Sequence, residues 1–188
     1  METVLHWDYR LFFFINRTLS NPLFDWFLPL ARDKYFWIPL YAGLLVYLFF
    51  RFRRQLLIVL PALALTITLT DQLTASVIKP WFGRLRPCRH PDIGESVRLL
   101  VDCGPAFSFV SAHAANAFGA AVFFIVVLHP APNWLVVLAV LWAVSIALAQ
   151  VYVGVHFPAD VLGGALLGWL AGQCTGRMAR WALKRFPK

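Results

Sequence analysis

The sequence predicts an all-α fold: a polytopic transmembrane helical bundle of about five to six membrane helices, with amphipathic helices at its N-terminus. Three observations point there. Of 188 residues, 60% are hydrophobic and mean hydropathy is +0.68, where soluble domains run nearer ~45–50% apolar. Only 14% are charged, too few to clothe a water-soluble domain of this size. The apolar residues also gather in stretches of about 20, the length a helix needs to cross a bilayer. The same bulk, with 11 Gly and 12 Pro, excludes disorder and collagen. The net charge of +8, from 17 Lys+Arg against 9 Asp+Glu, fits basic residues at the cytoplasmic ends of helices. No basic run interleaves with aromatics as single-strand binding requires, so no nucleic-acid partner is expected.

The chain reads as one integral-membrane domain over residues 1–188. Residues 1–34 are apolar and aromatic, but Asp8, Arg10, Asn16, Arg17, Asp25 and Arg32 interrupt them and Asn21-Pro22 splits them. This pattern predicts two short amphipathic helices, lying at the interface or against the bundle; one spanning helix over Leu11–Leu30 is the alternative. The start is not basic and no small-residue cleavage site follows, so no cleavable signal peptide is expected. The bundle occupies residues 35–180. Its first span is Tyr35–Phe50 with its flanks, ended by Arg51, Arg53 and Arg54. The second runs from about Leu56 to Ile78, and the third from about Phe107 to Leu128, ended by the turn at His129-Pro130. The fourth runs from about Trp134 to Val151, and the fifth begins near Ala159 and dissolves into Arg177, Arg180, Lys184 and Arg185.

The Arg51–Arg54 loop and the basic C-terminal end both belong on the cytoplasmic side. Four spans separate them, so one orientation satisfies both and puts the Lys79–Pro105 and Tyr152–Pro158 loops on the extracytoplasmic side. The first of these loops carries Lys79, Arg84, Arg86, Arg89 and Arg98, against the charge rule. A phosphate partner accounts for the breach. The long segment Pro80–Ala106 also holds Cys88 and Cys103, which either form a disulfide in an oxidising compartment or remain free thiols. Cys174 reads as a small core residue. The small residues Ala114, Ala115, Ala117 and Gly119, and Gly163, Gly164 and Gly168, predict close helix packing.

Ionisable residues at membrane depth are costly and mark function. Three clusters fall at the extracytoplasmic helix ends: Lys79 through Arg86-Pro87, Ser111-Ala112-His113, and Gln150 through His156 to Asp160. Lys79 and Arg86 supply cations, and the Arg fork suits phosphate oxygens. Ser111 offers a hydroxyl, and the N–H groups near Ala112 open a helix, where anions bind. His156 and Asp160 are four apart, so a carboxylate in the first turn of a helix reaches back to the imidazole, fixes its tautomer and makes it a better nucleophile. His113 then serves as acid for the leaving group. Together these describe metal-free phosphoryl transfer through a phosphohistidine. Asp71, inside the second span, either supports a site cation or meets a polar group on a neighbouring helix. His6, His90 and His129 fit no such pattern.

At these positions the sequence resembles the type 2 phosphatidic acid phosphatase family. Lys79, six residues, then Arg86-Pro87 matches its first motif; Val110-Ser111-Ala112-His113 is similar to its Pro-Ser-Gly-His; His156 and Asp160 match its third, in which Ala149-Gln150 stand where the family has Ser-Arg. The resemblance covers about Lys79–Gly164. It implies that His156 attacks phosphorus, that Asp160 orients it, that His113 protonates the departing oxygen, that Lys79, Arg86, Ser111 and the Ala112 N–H hold the phosphate, and that no metal or other cofactor takes part. Gln150 donates a hydrogen bond but adds no charge, a loss worth on the order of 10²–10³ in rate by analogy with a removed oxyanion-hole donor. Arg84 or Arg89 is the expected replacement.

The resulting expectation is a multi-pass enzyme of the cell (inner) membrane, active on its extracytoplasmic (periplasmic) face, with the bilayer and a lipid phosphate as its partners. Undecaprenyl diphosphate is the first substrate implied by the resemblance, with phosphatidic acid, phosphatidylglycerol phosphate and lipid A phosphate as alternatives. A lipid-phosphate binding protein with weakened catalysis is the non-enzymatic alternative, kept open by Gln150. Intramembrane serine proteolysis at Ser111 leaves Lys79, Arg86 and Asp160 without roles, and haloperoxidase chemistry resembles soluble, vanadate-dependent relatives. Oligomeric state is not legible.

Overall fold

The structure, a computed structural model, describes residues 2–104 and 107–186, with side chains from His6 onward. Pro105 and Ala106, at the end of the predicted long loop, lie outside the described residues. Helix α1 (Glu2–Phe13) runs into a π-helical turn, Phe14–Thr18. The chain then breaks at Asn21, whose Oδ1 accepts the Phe24 N–H at 2.9 Å and caps α2 (Pro22–Ala31), with Pro22 at the first helical position. The N-terminal segment is therefore two helices, and a continuous helix over Leu11–Leu30 does not form. Helix α3 (Ile38–Phe52) and α4 (Leu56–Gln72) meet at a turn where Arg53 has φ 49°. Helix α4 continues through a π-helical stretch, Leu73–Ile78, into the single turn α5 (Lys79–Phe82). The remaining helices are α6 (Ala112–Val127), α7 (Asn133–Tyr152) and α8 (Pro158–Arg185). Among the described residues no strand forms, and Leu85 and Phe107 make one isolated antiparallel bridge.

Two helical stretches, Ile38–Phe82 and Asn133–Tyr152, are long and apolar enough to cross a bilayer, and α6 is apolar but shorter. The outward faces are apolar too: Phe50, Leu57, Leu141, Leu162 and Leu170 are all exposed. Exposed apolar surface on this scale marks a face that meets something other than water.

The centre of the bundle is the pair α6–α8. Glycines 164, 168, 172 and 176 recur every four residues along α8 and so form one stripe. A Cβ on Gly168 would lie 2.2 Å from the Ala115 carbonyl oxygen, and one on Gly172 2.5 Å from that of Gly119. The two backbones touch because α8 carries no side chain there and α6 presents only alanine and glycine at these points. Helix α4 joins them through a hydrogen bond between the hydroxyls of Thr66 and Thr175, 2.7 Å apart and fully buried. Cys174, expected in the core, is exposed instead, because the glycine stripe turns the neighbouring face of α8 inward and leaves this one outward.

The N-terminal helices pack on the same end of the bundle. Phe12 stacks near Phe157, 5.3 Å between centroids. Leu28 of α2 joins Ala149, Tyr152, Val153 and Val155 in one buried cluster. Buried Asn16 ties three segments together: its Nδ2 donates to the Tyr152 and Arg98 carbonyls at 2.8 Å each, and its Oδ1 accepts the Arg98 N–H at 3.0 Å. Cys88 and Cys103 form a disulfide, Cα–Cα 6.1 Å, which closes the long loop above this end.

Candidate active site

The turn between α7 and α8 is buried throughout, from Val153 to Phe157. Gly154 makes it possible: φ is 88°, and a Cβ would meet Val97 Cγ1 at 2.7 Å and the Arg98 carbonyl oxygen at 2.9 Å. The turn is held by the Gln150 carbonyl, which accepts both the Val155 and His156 N–H groups at 3.2 Å. Asp160 lies in the first turn of α8, where its Oδ2 accepts the Phe157 N–H at 2.8 Å.

His156 is 2% exposed and Asp160 0%. Nδ1 of His156 faces Asp160 Oδ2 at 3.4 Å and has no hydrogen-bond partner among the described residues. Its Nε2 lies 3.4 Å from Arg86 Nη1, which also donates to the Val155 carbonyl at 3.1 Å. Burial pushes the His156 imidazole down to about 4, with Asp160 opposing and Arg86 and Lys79 adding to the shift. At neutral pH the ring is therefore uncharged, with a proton on the nitrogen facing Asp160 and a lone pair on Nε2.

Ser111 caps α6. Its Oγ accepts the Ala114 N–H at 3.4 Å, and its own N–H donates to the Asp160 carbonyl at 2.9 Å, fastening the starts of α6 and α8 to each other. Next to it, His113 is exposed and lies in the electrostatic field of Arg32, His156, Lys79 and Arg86. Lys79, half-buried on α5, is acted on by Arg86, Asp160 and Asp71. Asp71 also accepts a hydrogen bond from Asn116 Nδ2 at 2.8 Å, and Thr70 donates to the Asn116 Oδ1 at 2.5 Å, so it links α4 to α6 as well. Lys79, Arg86, Ser111, Ala112, His113, His156 and Asp160 thus share one end of the bundle. Gln150 sits fully buried beside them at the end of α7, and neither its Oε1 nor its Nε2 has a partner among the described residues.

Arg84 departs from expectation. Its Nη1 donates to Asp160 Oδ1 at 2.7 Å, its Nη2 pairs with Asp8 Oδ2, and its guanidinium covers the Phe157 ring at 4.2 Å from the centroid. Both ends of the fork are taken by carboxylates, so Arg84 does not replace the cation missing at Gln150. Arg89 donates to the Gly104 carbonyl at 2.8 Å on the exposed side of the loop. Two residues outside the three motif clusters also reach this end: Asp8 and Arg32. Their signal was present, as charges inside an apolar segment, but it served only to interrupt a helix pattern.

Residues 55–184 match the family model of the PAP2 superfamily. The chain belongs to the PAP2 superfamily. Relatives of this PAP2 chain include the lipid A 4'-phosphatase of Bacteroides thetaiotaomicron, 36% identical over 88% of this chain and 73% of its own. Among solved structures, Aquifex aeolicus LpxE superposes with a TM-score of 0.69 at 32% identity, covering 89% of this chain and 93% of that one. A transmembrane PAP2-type phosphatidylglycerolphosphate phosphatase from Bacillus subtilis superposes with a TM-score of 0.73 at 25% identity, covering 100% and 90%.

Proposed function

We propose that this PAP2 chain hydrolyses the phosphate monoester of a membrane lipid, a phosphorylated glycolipid of the lipid A type, through a phosphohistidine at His156. One observation carries the chemistry: a buried neutral imidazole with Asp160 at Nδ1 and the Arg86 guanidinium at Nε2. Nε2 attacks phosphorus, the bond to the lipid oxygen breaks, and His113 delivers a proton to that oxygen. Water then attacks the phosphohistidine, giving its proton back to His113 and releasing inorganic phosphate. Lys79, Arg86, Ser111 and the Ala112 N–H stabilise charge spread over the phosphoryl oxygens. The likeness to a lipid A 4'-phosphatase shifts the substrate reading from undecaprenyl diphosphate to a glycolipid phosphate.

The reading places one domain in the cell membrane as a multi-pass bundle, its site on the extracytoplasmic face. Exposed Trp7 and Trp81 stand at the site end and exposed Trp134 and Trp181 at the other, a spacing suited to the two interfaces of a bilayer. The test is phosphate release by the detergent-purified protein in EDTA from lipid A, phosphatidylglycerol phosphate, phosphatidic acid and undecaprenyl diphosphate, beside His156→Ala. Release is expected first from lipid A and is lost in His156→Ala. No release from any lipid overturns the enzymatic reading in favour of a binding protein, and release that survives His156→Ala overturns the nucleophile.

A further inference from the structure

Helices α1 and α2 precede the residues matched by the PAP2 model, yet each brings a charged side chain to the site, Asp8 and Arg32. We propose that Asp8 of α1, acting through Arg84, is a positioning residue for the Asp160–His156 pair; the inference rests on the nucleophile assigned above. Among the described residues both oxygens of the Asp160 carboxylate are engaged. Oδ2 takes the Phe157 N–H and faces His156, and Oδ1 takes Arg84. Arg84 is itself fixed by Asp8 and by the Phe157 ring beneath it. Asp8, 8% exposed, uses its other oxygen to accept the Ala159 N–H at 2.8 Å.

The contacts close a ring from Asp8 to Arg84, to Asp160, and back along the backbone to Ala159. A buried carboxylate left without its cation is costly, so the ring holds Asp160 in one orientation, and Asp160 in turn holds the imidazole. Removing Asp8 leaves Arg84 free to draw the Asp160 carboxylate off the His156 axis. Attack geometry depends on that axis, whereas phosphate binding by Lys79, Arg86 and Ser111 does not.

The experiment measures kcat and KM for Asp8→Asn, Arg84→Gln and Arg84→Lys, with thermal melting of each and His156→Ala in parallel. Asp8→Asn and Arg84→Gln are expected to lower kcat by about 10–100-fold, by analogy with groups that orient the ligands of a metal, with KM within about twofold. Arg84→Lys, which keeps a cation on Asp160, restores part of kcat. A purely structural staple would lower the melting temperature and leave kcat per folded molecule unchanged, and that result overturns the proposal. Activity that survives His156→Ala indicts the nucleophile assignment instead.

A separate observation concerns α2. We infer that Arg32 is a phosphate-binding residue, the cation that Gln150 does not supply. Arg32 lies one helical turn after Leu28, hence on the same face. Leu28 packs with Val155, whose carbonyl receives Arg86. The end of α2 is fixed there by Trp37, whose Nε1 donates to the Ala31 carbonyl at 2.7 Å. Of the charges acting on Arg86 and on His113, that of Arg32 is the strongest, yet among the described residues its guanidinium has no hydrogen bond or ion pair. Cations gathered at one place repel; Asp33 and Asp160 oppose that repulsion, and a doubly charged phosphate between the cations relieves it further.

The probe is inorganic phosphate as a competitive inhibitor. Arg32→Gln is expected to raise its inhibition constant by about tenfold or more, as losing one charge-assisted contact does, and to raise KM more than it lowers kcat, while Arg32→Lys retains most of the binding. An unchanged inhibition constant in Arg32→Gln, where Arg86→Gln weakens it, overturns the assignment.

Discussion

Gly168→Ala is the smallest change that separates the two halves of the site. The added Cβ would sit 2.2 Å from the Ala115 carbonyl oxygen, 2.8 Å from the Gly119 nitrogen and 3.0 Å from the Ala115 carbonyl carbon. All three are backbone atoms of α6, so no side chain can turn aside. Restoring van der Waals contact requires α6 and α8 to part by about 1 Å. Overpacking of this kind costs about 1–3 kcal/mol, against which alanine returns about 1 kcal/mol of helix propensity. The larger effect is on rate. Helix α6 carries Ser111 and His113, and α8 carries Asp160 beside His156. A displacement of about 1 Å between reacting groups is worth on the order of 100-fold. The assay is kcat/KM for lipid phosphate with thermal melting in detergent, beside two controls. Gly43→Ala, with nothing within 4 Å of the new Cβ, changes neither. Gly163→Ala meets only side-chain atoms of Val110 and Phe109, and falls between. If Gly168→Ala retains full activity, or if Gly43→Ala is equally damaging, helix contact does not set the site's geometry.

Two further outcomes follow from the site. With His156 at about 4, its imidazole is expected to take up a proton only as pH falls to about that value; a titration of His156 near 6.5, followed by NMR of the detergent-purified protein, would show an imidazole in contact with water. The same shift acts on stability: the unfolded chain takes up this proton at the ordinary value of 6.5 and the folded one only near 4, so stability contributed above 6.5 is lost as pH falls through that window, a loss readable as a falling melting temperature. Replacing Cys88 and Cys103 with alanine opens a loop with a sequence separation of 15, which costs about 3 kcal/mol in the chain-entropy account; because Arg86 stands two residues before Cys88, KM is expected to rise as well. A variant with unchanged melting and KM would show that the non-covalent contacts of the loop, among them Asn16 with Arg98 and Arg98 with Asp25, hold it without the bridge.

Most of the bundle was legible because each feature repeats locally. The apolar runs, the turn at His129-Pro130, the split at Asn21-Pro22 and the small residues of α6 and α8 are all patterns within a few turns of chain. The matched motifs were legible for the same reason, since Lys79 to Arg86 and His156 to Asp160 are short intervals. Arg84 was misread because its partners are distant: Asp8 and Asp160 each stand 76 residues away. Spacing places Arg84 beside Arg86 and suggests a common task, but only the fold shows that Arg84 meets two carboxylates while Arg86 reaches the Val155 carbonyl and His156. Cys174 failed similarly, since an apolar helix does not declare which face its neighbour takes.

The distribution of charge explains why the N-terminal helices matter. A site for phosphate needs cations, and a buried histidine needs a carboxylate held still; in an apolar bundle each of these charges must be balanced nearby. Helices α4 to α8 provide Lys79, Arg86 and Asp160, but place Gln150, uncharged and unpartnered, at the end of α7. They also leave Arg84 facing Asp160 with half its fork unused. Asp8 fills that half, and Arg32 brings a positive charge to Arg86 and His113. Deleting residues 2–34 should therefore remove more than an interfacial anchor: it leaves Arg84 with one carboxylate where it has two, and the proposed phosphate pocket with Lys79 and Arg86 as its cations.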